Sequence, residues 1–380
     1  MKSGHRYRPP AVLVLLLGLS SCANGTSPQN TASSTPFVFQ ALNLRQQNST
    51  GQLQWLVTSP EARYDLSRRI ALTRSLQGEI YNQGKPLYRL QASHGTVLND
   101  GEVLQLEGDV TVQRLGGDAV TIEADRMRWY PRQQRLELDR GARAHTQDLT
   151  LVAQRATLLF DLDRLELRGK PELRKGDLRL LLQQLDWSPG RGSLAAPAPV
   201  VATRGNGQGA TATLRAAGLQ GNTLERRLVL AAPVTLQAPA QQAQMQAQRA
   251  EVDLATNTIS SSQPFIASVG SLHIAGPAFG LNLSQQRVSL PSGCQLQQPD
   301  ASLQAQSCSW NWQTQQVLAS GGVVLRRRAN QQVTRAQRMV GQLGPNGTIT
   351  FLSPGSRVQS TLKLPADAGA RRGSAAAIRL

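Results

Sequence analysis

Residues 104–112 read Leu-Gln-Leu-Glu-Gly-Asp-Val-Thr-Val, and residues 165–173 read Leu-Glu-Leu-Arg-Gly-Lys-Pro-Glu-Leu. Apolar and polar side chains alternate along both. In an extended chain this puts Leu104, Leu106, Val110 and Val112 on one face and Gln105, Glu107 and Thr111 on the other. A central glycine (Gly108, Gly169) marks a bend or bulge within the run. Looser copies span 228–236, 288–296 and 317–325. A second phrase alternates with the first: Ala124-Asp-Arg-Met127, Ala153-Gln-Arg-Ala156, Ala247-Gln-Arg-Ala250 and Ala336-Gln-Arg-Met339. Weaker copies begin at Ser59, Ala92, Leu182, Ala216, Ala275 and Ala305, so successive starts lie 28 to 34 residues apart. A fixed period of this size is the signature of a repeat architecture.

Each unit reads as two short strands separated by turn formers such as Pro131-Arg-Gln-Gln134 and Asp161-Leu-Asp163. No segment shows a sustained helical period with caps. The expected fold is therefore all-β, with about ten two-strand repeats of roughly 30 residues. If each unit adds one strand to each of two sheets at about 4.8 Å, the slab is roughly 48 Å long, with two free edges open to pairing. Residues 191–209, rich in Gly, Pro and Ala, read as an excursion between two β halves, 37–190 and 210–365, and residues 366–380 as a disordered tail.

The first residues set the compartment. Lys2, Arg6 and Arg8 form a positive segment, Ala11 to Leu19 is apolar, and Leu19-Ser20-Ser21-Cys22 follows. That order fits a secretory signal over residues 1–21, too short to span a bilayer, which needs roughly 20 apolar residues. The junction resembles a bacterial lipobox, with Cys22 as the acylated residue and residues 22–36 as a flexible tether. Export implies an oxidising compartment, so Cys294 and Cys308 are expected to form a disulfide. The net charge of +17 rests almost wholly on arginine, with five lysines in the chain. It favours polyanionic partners such as anionic lipid or a phosphorylated glycolipid; an exported chain does not meet nucleic acid.

The stretch 51–187 resembles the periplasmic lipopolysaccharide export protein LptC. The likeness is carried by Gly51-Gln-Leu-Gln-Trp55, Ser59-Pro-Glu-Ala62-Arg-Tyr64-Asp65, Tyr88-Arg-Leu-Gln-Ala92 and the Leu104-x-Leu106-x-Gly108-x-Val110 run. The later units resemble the related LptA (OstA-like) repeats. The resemblance implies an elongated antiparallel β-jellyroll, open like a folded taco, that binds acyl chains in an apolar groove. It also implies lipopolysaccharide or a related glycolipid as ligand. Its partners would be an inner-membrane ABC transporter complex and other jellyroll bridge proteins, joined by edge-strand pairing. Candidate lining residues are Leu104, Leu106, Val110, Val112, Val120, Ile122, Leu136, Leu138, Leu149, Leu151, Leu165 and Leu167, which could equally fill a closed core. Two features depart from the family: a lipobox stands where many members have a transmembrane helix, and the body is about twice one module. The resemblance favours a periplasmic lipoprotein anchored at the inner membrane rather than the outer.

No residue pattern points to catalysis or to a cofactor. His94, His145 and His273 lie in distant units without metal-ligand spacing. Asp161, Asp163 and Glu166 read as a solvated turn and a polar strand face. Gly205-Asn-Gly-Gln-Gly209 lacks the Lys and Ser/Thr of a phosphate-binding loop. Trp310 and Trp312 read as sharing a sheet face, and Arg326-Arg-Arg328 as a solvated basic strand end. A non-enzymatic carrier is the preferred reading. The alternatives are a polysaccharide-processing enzyme on a parallel β-helix, or a surface adhesion lipoprotein.

Overall fold

A computed structural model describes residues 37–362 except 117–118, 148, 206–209, 330 and 343–347. The signal, Cys22, the tether and the tail at 366–380 lie outside these residues. Pro36–Leu380 is one compact unit. It is all-β: the described residues form strands joined by turns and three single-turn 3₁₀ segments. Among the described residues every strand pairing is antiparallel, as between Leu104 and Trp129 or between Leu228 and Val252. That removes the parallel β-helix. No helix among the described residues is long and apolar enough to cross a membrane.

The strands form two hydrogen-bonded ladders that share long, bent strands at each end. Lys85–Leu98, Val103–Arg114 and Thr121–Tyr130 each break register once in the middle. Residues 110–113 then pair in one ladder (ladder I) with 121–124, and residues 104–107 in the other (ladder II) with 126–129. Farther along, the breaks sever the strands. Arg155–Leu159 and Arg164–Arg168 belong to ladder II, while Glu172–Lys175 and Leu178–Leu181 belong to ladder I. Gln316–Arg327 and Gln332–Gln342 cross both ladders again. Each repeat is thus two long strands folded over a crease. It adds two rungs to each ladder, not the single one expected, so the slab estimate of roughly 48 Å falls short by half.

The two sequence phrases meet at the crease. Gly169 has φ +79° and Gly321 φ +79°, and a Cβ there would lie 2.8 Å from the Cβ of Gln154 or Gln306. Those glutamines are the second residues of Ala-Gln-Arg-Ala (153–156) and Ala-Gln-Ser-Cys (305–308). A side chain at the glycine would therefore meet both a positive φ and a neighbouring strand.

Within the stretch 191–209, the described residues contribute strands to both ladders. Ser193–Ala196 pairs with 219–222 in ladder II, and Val200–Gly205 pairs with Ala210–Ala216 in ladder I. Its alanines and valines are small but still alternate, and Ala196 and Val200 are fully buried.

Candidate functional site

Cross-strand pairing lines up inward residues into continuous rows. In ladder II the row runs Leu104, Trp129, Leu136, Leu158, Leu165, Trp187, Leu194. It continues from Leu228 through Val252, Ile259, Leu281 and Val288 to Trp310. The facing row in ladder I runs Leu90, Val112, Ile122, Ala144, Leu151, Leu173, Leu180. It goes on through Leu214, Leu236, Met245, Ala267 and Ile274 to Leu296.

Burial changes along both rows at the same place. Up to Leu151 and Leu165 every one of these residues is at most 5% exposed. From Leu173 and Trp187 onward the row residues are mostly half-buried, including Leu214, Leu228, Met245, Val252 and Ile259. The residues at the crease stay sealed throughout, with Val234 and Ala250 at 0%. The interior is therefore a filled core in the first half. In the second half it is a trough with a closed floor and parted walls.

Eleven of the twelve sequence-derived lining residues lie in the filled half, where they are buried in one continuous core. Leu149 differs: it is half-buried in a turn before Thr150–Ala153, where its carbonyl accepts from Thr146 N at 2.9 Å. In the structure these residues pack against each other, and the more accessible apolar rows come later in the chain.

Aromatic packing and one polar cluster explain the seal. Trp55 of ladder I meets Trp129 of ladder II edge-on, with centroids 5.5 Å apart, and Tyr88 meets Phe160 at 5.2 Å. Such pairs add about 0.5–1.5 kcal/mol each beyond their burial. Above them, Asp163 in a ladder II turn takes Arg114 Nε at 3.2 Å, Arg114 Nη2 at 3.1 Å and Gly190 N at 2.8 Å. It also accepts from the Tyr88 hydroxyl. Tyr88 and Arg114 are ladder I residues, so this cluster latches the two rims together. Burial, reinforced by the Asp163 carboxylate, pushes ionisation of the Tyr88 hydroxyl well above the usual tyrosine range. Of the three carboxylates read as solvated, Asp161 caps its own turn and Glu166 pairs with Arg164 and Arg168 on the strand surface. Asp163 alone is drawn inside. Its sequence neighbourhood is an ordinary turn, and its partners lie 49 and 75 residues away.

The trough ends in an apolar cavity of about 110 Å³, lined among others by Ile274, Leu290, Leu303, Trp310 and Met339. The Nε1–H groups of Trp187 and Trp310, near the two ends of the open row, are buried without a hydrogen-bond partner. Trp312 leaves the strand Ser307–Asn311 and opens the next turn, so it does not share the face of Trp310. Beneath the cavity, Cys294 of ladder I and Cys308 of ladder II are disulfide-bonded, Cα to Cα 5.9 Å, across the crease. Among the described residues no group of His, Cys, Asp and Glu could hold a metal.

Residues 11–174 match the family model described as LptC, lipopolysaccharide-assembly, LptC-related. The match ends at the point where both inward rows become accessible. No curated protein matches the chain. Among solved structures, the chain is similar to LptH of Pseudomonas aeruginosa, described as the LptA-homologous periplasmic component of the conserved lipopolysaccharide transport device. The identity is 16% and the TM-score 0.26, over 30% of this chain and 82% of that one.

Proposed function

With residues 11–174 LptC-related, we propose that this protein is a non-enzymatic lipopolysaccharide-transport protein. In this reading it holds the acyl chains of lipopolysaccharide, or of a similar glycolipid, in its open trough. One observation carries this: the two facing apolar rows become accessible together from Leu173 and Trp187 onward, while the floor stays closed. Soluble proteins rarely leave a contiguous apolar surface of this kind open unless something occupies it.

The chemistry of the trough suits an acyl chain attached to a polar head. Leu, Val, Ile and Met side chains offer contact without polar groups that would need partners, worth about 0.8 kcal/mol per methylene buried. Residues 188–342 hold twelve arginines against four carboxylates, a net +8. Guanidinium groups at that density complement the phosphates of a glycolipid head.

Hand-over follows from the ends of the ladders. Phe37–Phe39 and Ile349–Leu352 each pair on one side only. An unpaired strand edge is a template for another β protein, so other jellyroll bridge proteins and an inner-membrane ABC transporter complex are the partners this reading expects. Cys22 would hold the chain at the periplasmic face of a membrane, the inner one on this reading, as a lipoprotein.

The test is binding of purified lipopolysaccharide to the intact protein. Val252→Glu places a charge in the trough and is expected to weaken binding at least about tenfold, because the carboxylate must be desolvated against an acyl chain. Leu72→Glu, on an outward position that is 55% exposed, should leave binding unchanged. Equal effects of the two substitutions, with both variants folded, would refute an acyl site in the trough.

A further inference from the structure

The two rims of the trough are chemically unlike. Ladder I turns are built of small and polar residues, such as Gly176-Asp177, Pro239 to Gln242 and Gly270-Ser271. Ladder II turns instead carry large apolar side chains held out from the body. Leu224 is 56% exposed, Leu254 40% and Leu283 37%. Two earlier turns on the same rim present Leu66 and Leu162 in the same way.

Leu254, Leu283 and Trp312 each directly follow the Asp or Asn of a repeated turn, a place that Thr223 takes in the turn before, with Leu224 one residue further on. Asn222 Oδ1 accepts from Leu224 N at 2.8 Å, Asp253 Oδ1 from Ala255 N at 2.8 Å, and Asn282 Oδ1 from Gln285 N at 2.7 Å. Each turn is also bonded to the one before it. Leu254 N donates to Arg226 O at 2.8 Å, Leu283 N to Asn257 O at 3.0 Å, and Trp312 N to Gln286 O at 3.0 Å. Successive turns stand two rungs apart, roughly 10 Å. Leu254, Leu283 and the half-buried Trp312 therefore stand in a line about 20 Å long beside the mouth of the trough, and Leu224 extends it one turn further, offset by one residue. Arg226 and Arg287 are exposed on this rim, and neither forms an ion pair among the described residues.

We propose that this rim docks on an anionic lipid bilayer. A line of leucines ending in a tryptophan, on turns that are otherwise polar, matches a surface with an apolar interior and a wet interface. The arginine excess of residues 188–342 supplies attraction to acidic headgroups, and the Arg226, Asn257 and Gln286 carbonyls already accept from the following turn. Docking on this rim turns the mouth of the trough to the lipid. The surface is separate from the trough and from the strand edges, and it does not depend on Cys22.

The experiment uses the intact protein on vesicles of phosphatidylglycerol and phosphatidylcholine, with a photoreactive phenylalanine at Leu254 or, on the opposite rim, at Gln241. Lipid adducts should form at Leu254 at least about tenfold more than at Gln241. Leu224→Ser with Leu283→Ser should remove most of that labelling, and Arg226→Gln with Arg287→Gln should remove its preference for phosphatidylglycerol over phosphatidylcholine alone. An anchor acting alone would hold both rims near lipid, so equal labelling overturns the proposal. So does the absence of labelling, or capture of a second copy or another protein at Leu254 in whole membranes. Glycolipid capture inside the trough at Leu214 reads the transport function separately, whichever way the rim behaves.

Discussion

A handful of side chains decide where the molecule is shut and where it bends. Gly169 combines a positive φ with a neighbouring strand, whereas Gly84 has φ +75° and nothing within 4 Å of the place a Cβ would take. Gly84→Ala is expected to cost about 1 kcal/mol, the backbone strain alone, and Gly169→Ala at least about 1 kcal/mol more. Denaturant midpoints of the two variants measure the difference. Asp163→Ala leaves the Arg114 guanidinium, 12% exposed, without its counter-ion and should destabilise by about 2–4 kcal/mol. Tyr88 adds a pH signature. Its ionisation is raised in the folded state by burial and by Asp163. The unfolded chain gives up this proton near pH 10 while the folded chain holds it, so stability falls as pH rises above about 10. Tyr88→Phe should remove that part of the alkaline loss. The crease glycine is legible in the sequence because it recurs at the same place in several units, as Gly108, Gly169 and Gly321. The latch is not, because nothing local distinguishes Asp163 from a turn aspartate such as Asp161.

Strand identity is open to reading because alternation is a local property, and Leu104, Leu106, Val110 and Val112 alternate without interruption. What alternation does not convey is that Gly108 sends the two halves of one strand into different ladders, which doubles the rungs per repeat. Residues 191–209 read as an excursion for a related reason: Gly, Pro and Ala are also loop residues, and only the pairing of Ser193–Ala196 and Val200–Gly205 places them in the ladders. Cys294 and Cys308 tie the ladders together at the crease below the apolar cavity. Closing a loop with separation 14 contributes roughly 3 kcal/mol in the chain-entropy model. Cys294→Ala with Cys308→Ala should lower stability by about that amount and leave the remaining rungs folded. Free thiols at both positions in the native, unreduced protein would contradict the bond itself.

Over the whole chain, backbone pairing joins each rung only to its neighbours, while in the sealed half the aromatic pairs and the Asp163 latch also tie distant rungs together. The sealed half, with its aromatic cluster and latch, should exchange backbone hydrogens more slowly than the open half, and ligand should slow the open half selectively. The sequence conveys an apolar interior along the full length. It does not convey which part is accessible, since Leu165 and Leu228 hold equivalent row positions with the same side chain yet differ in burial. The most direct test of an acyl-carrying trough is photocrosslinking in cells, with probes at Leu214 and Val252 in the open half, Leu106 and Leu138 in the sealed half, and outward Glu123 and Thr150. Glycolipid adducts are expected at Leu214 and Val252 and not at the other four. Adducts at Glu123 and Thr150 equal to those at Leu214, or none at Leu214 and Val252, would contradict the account.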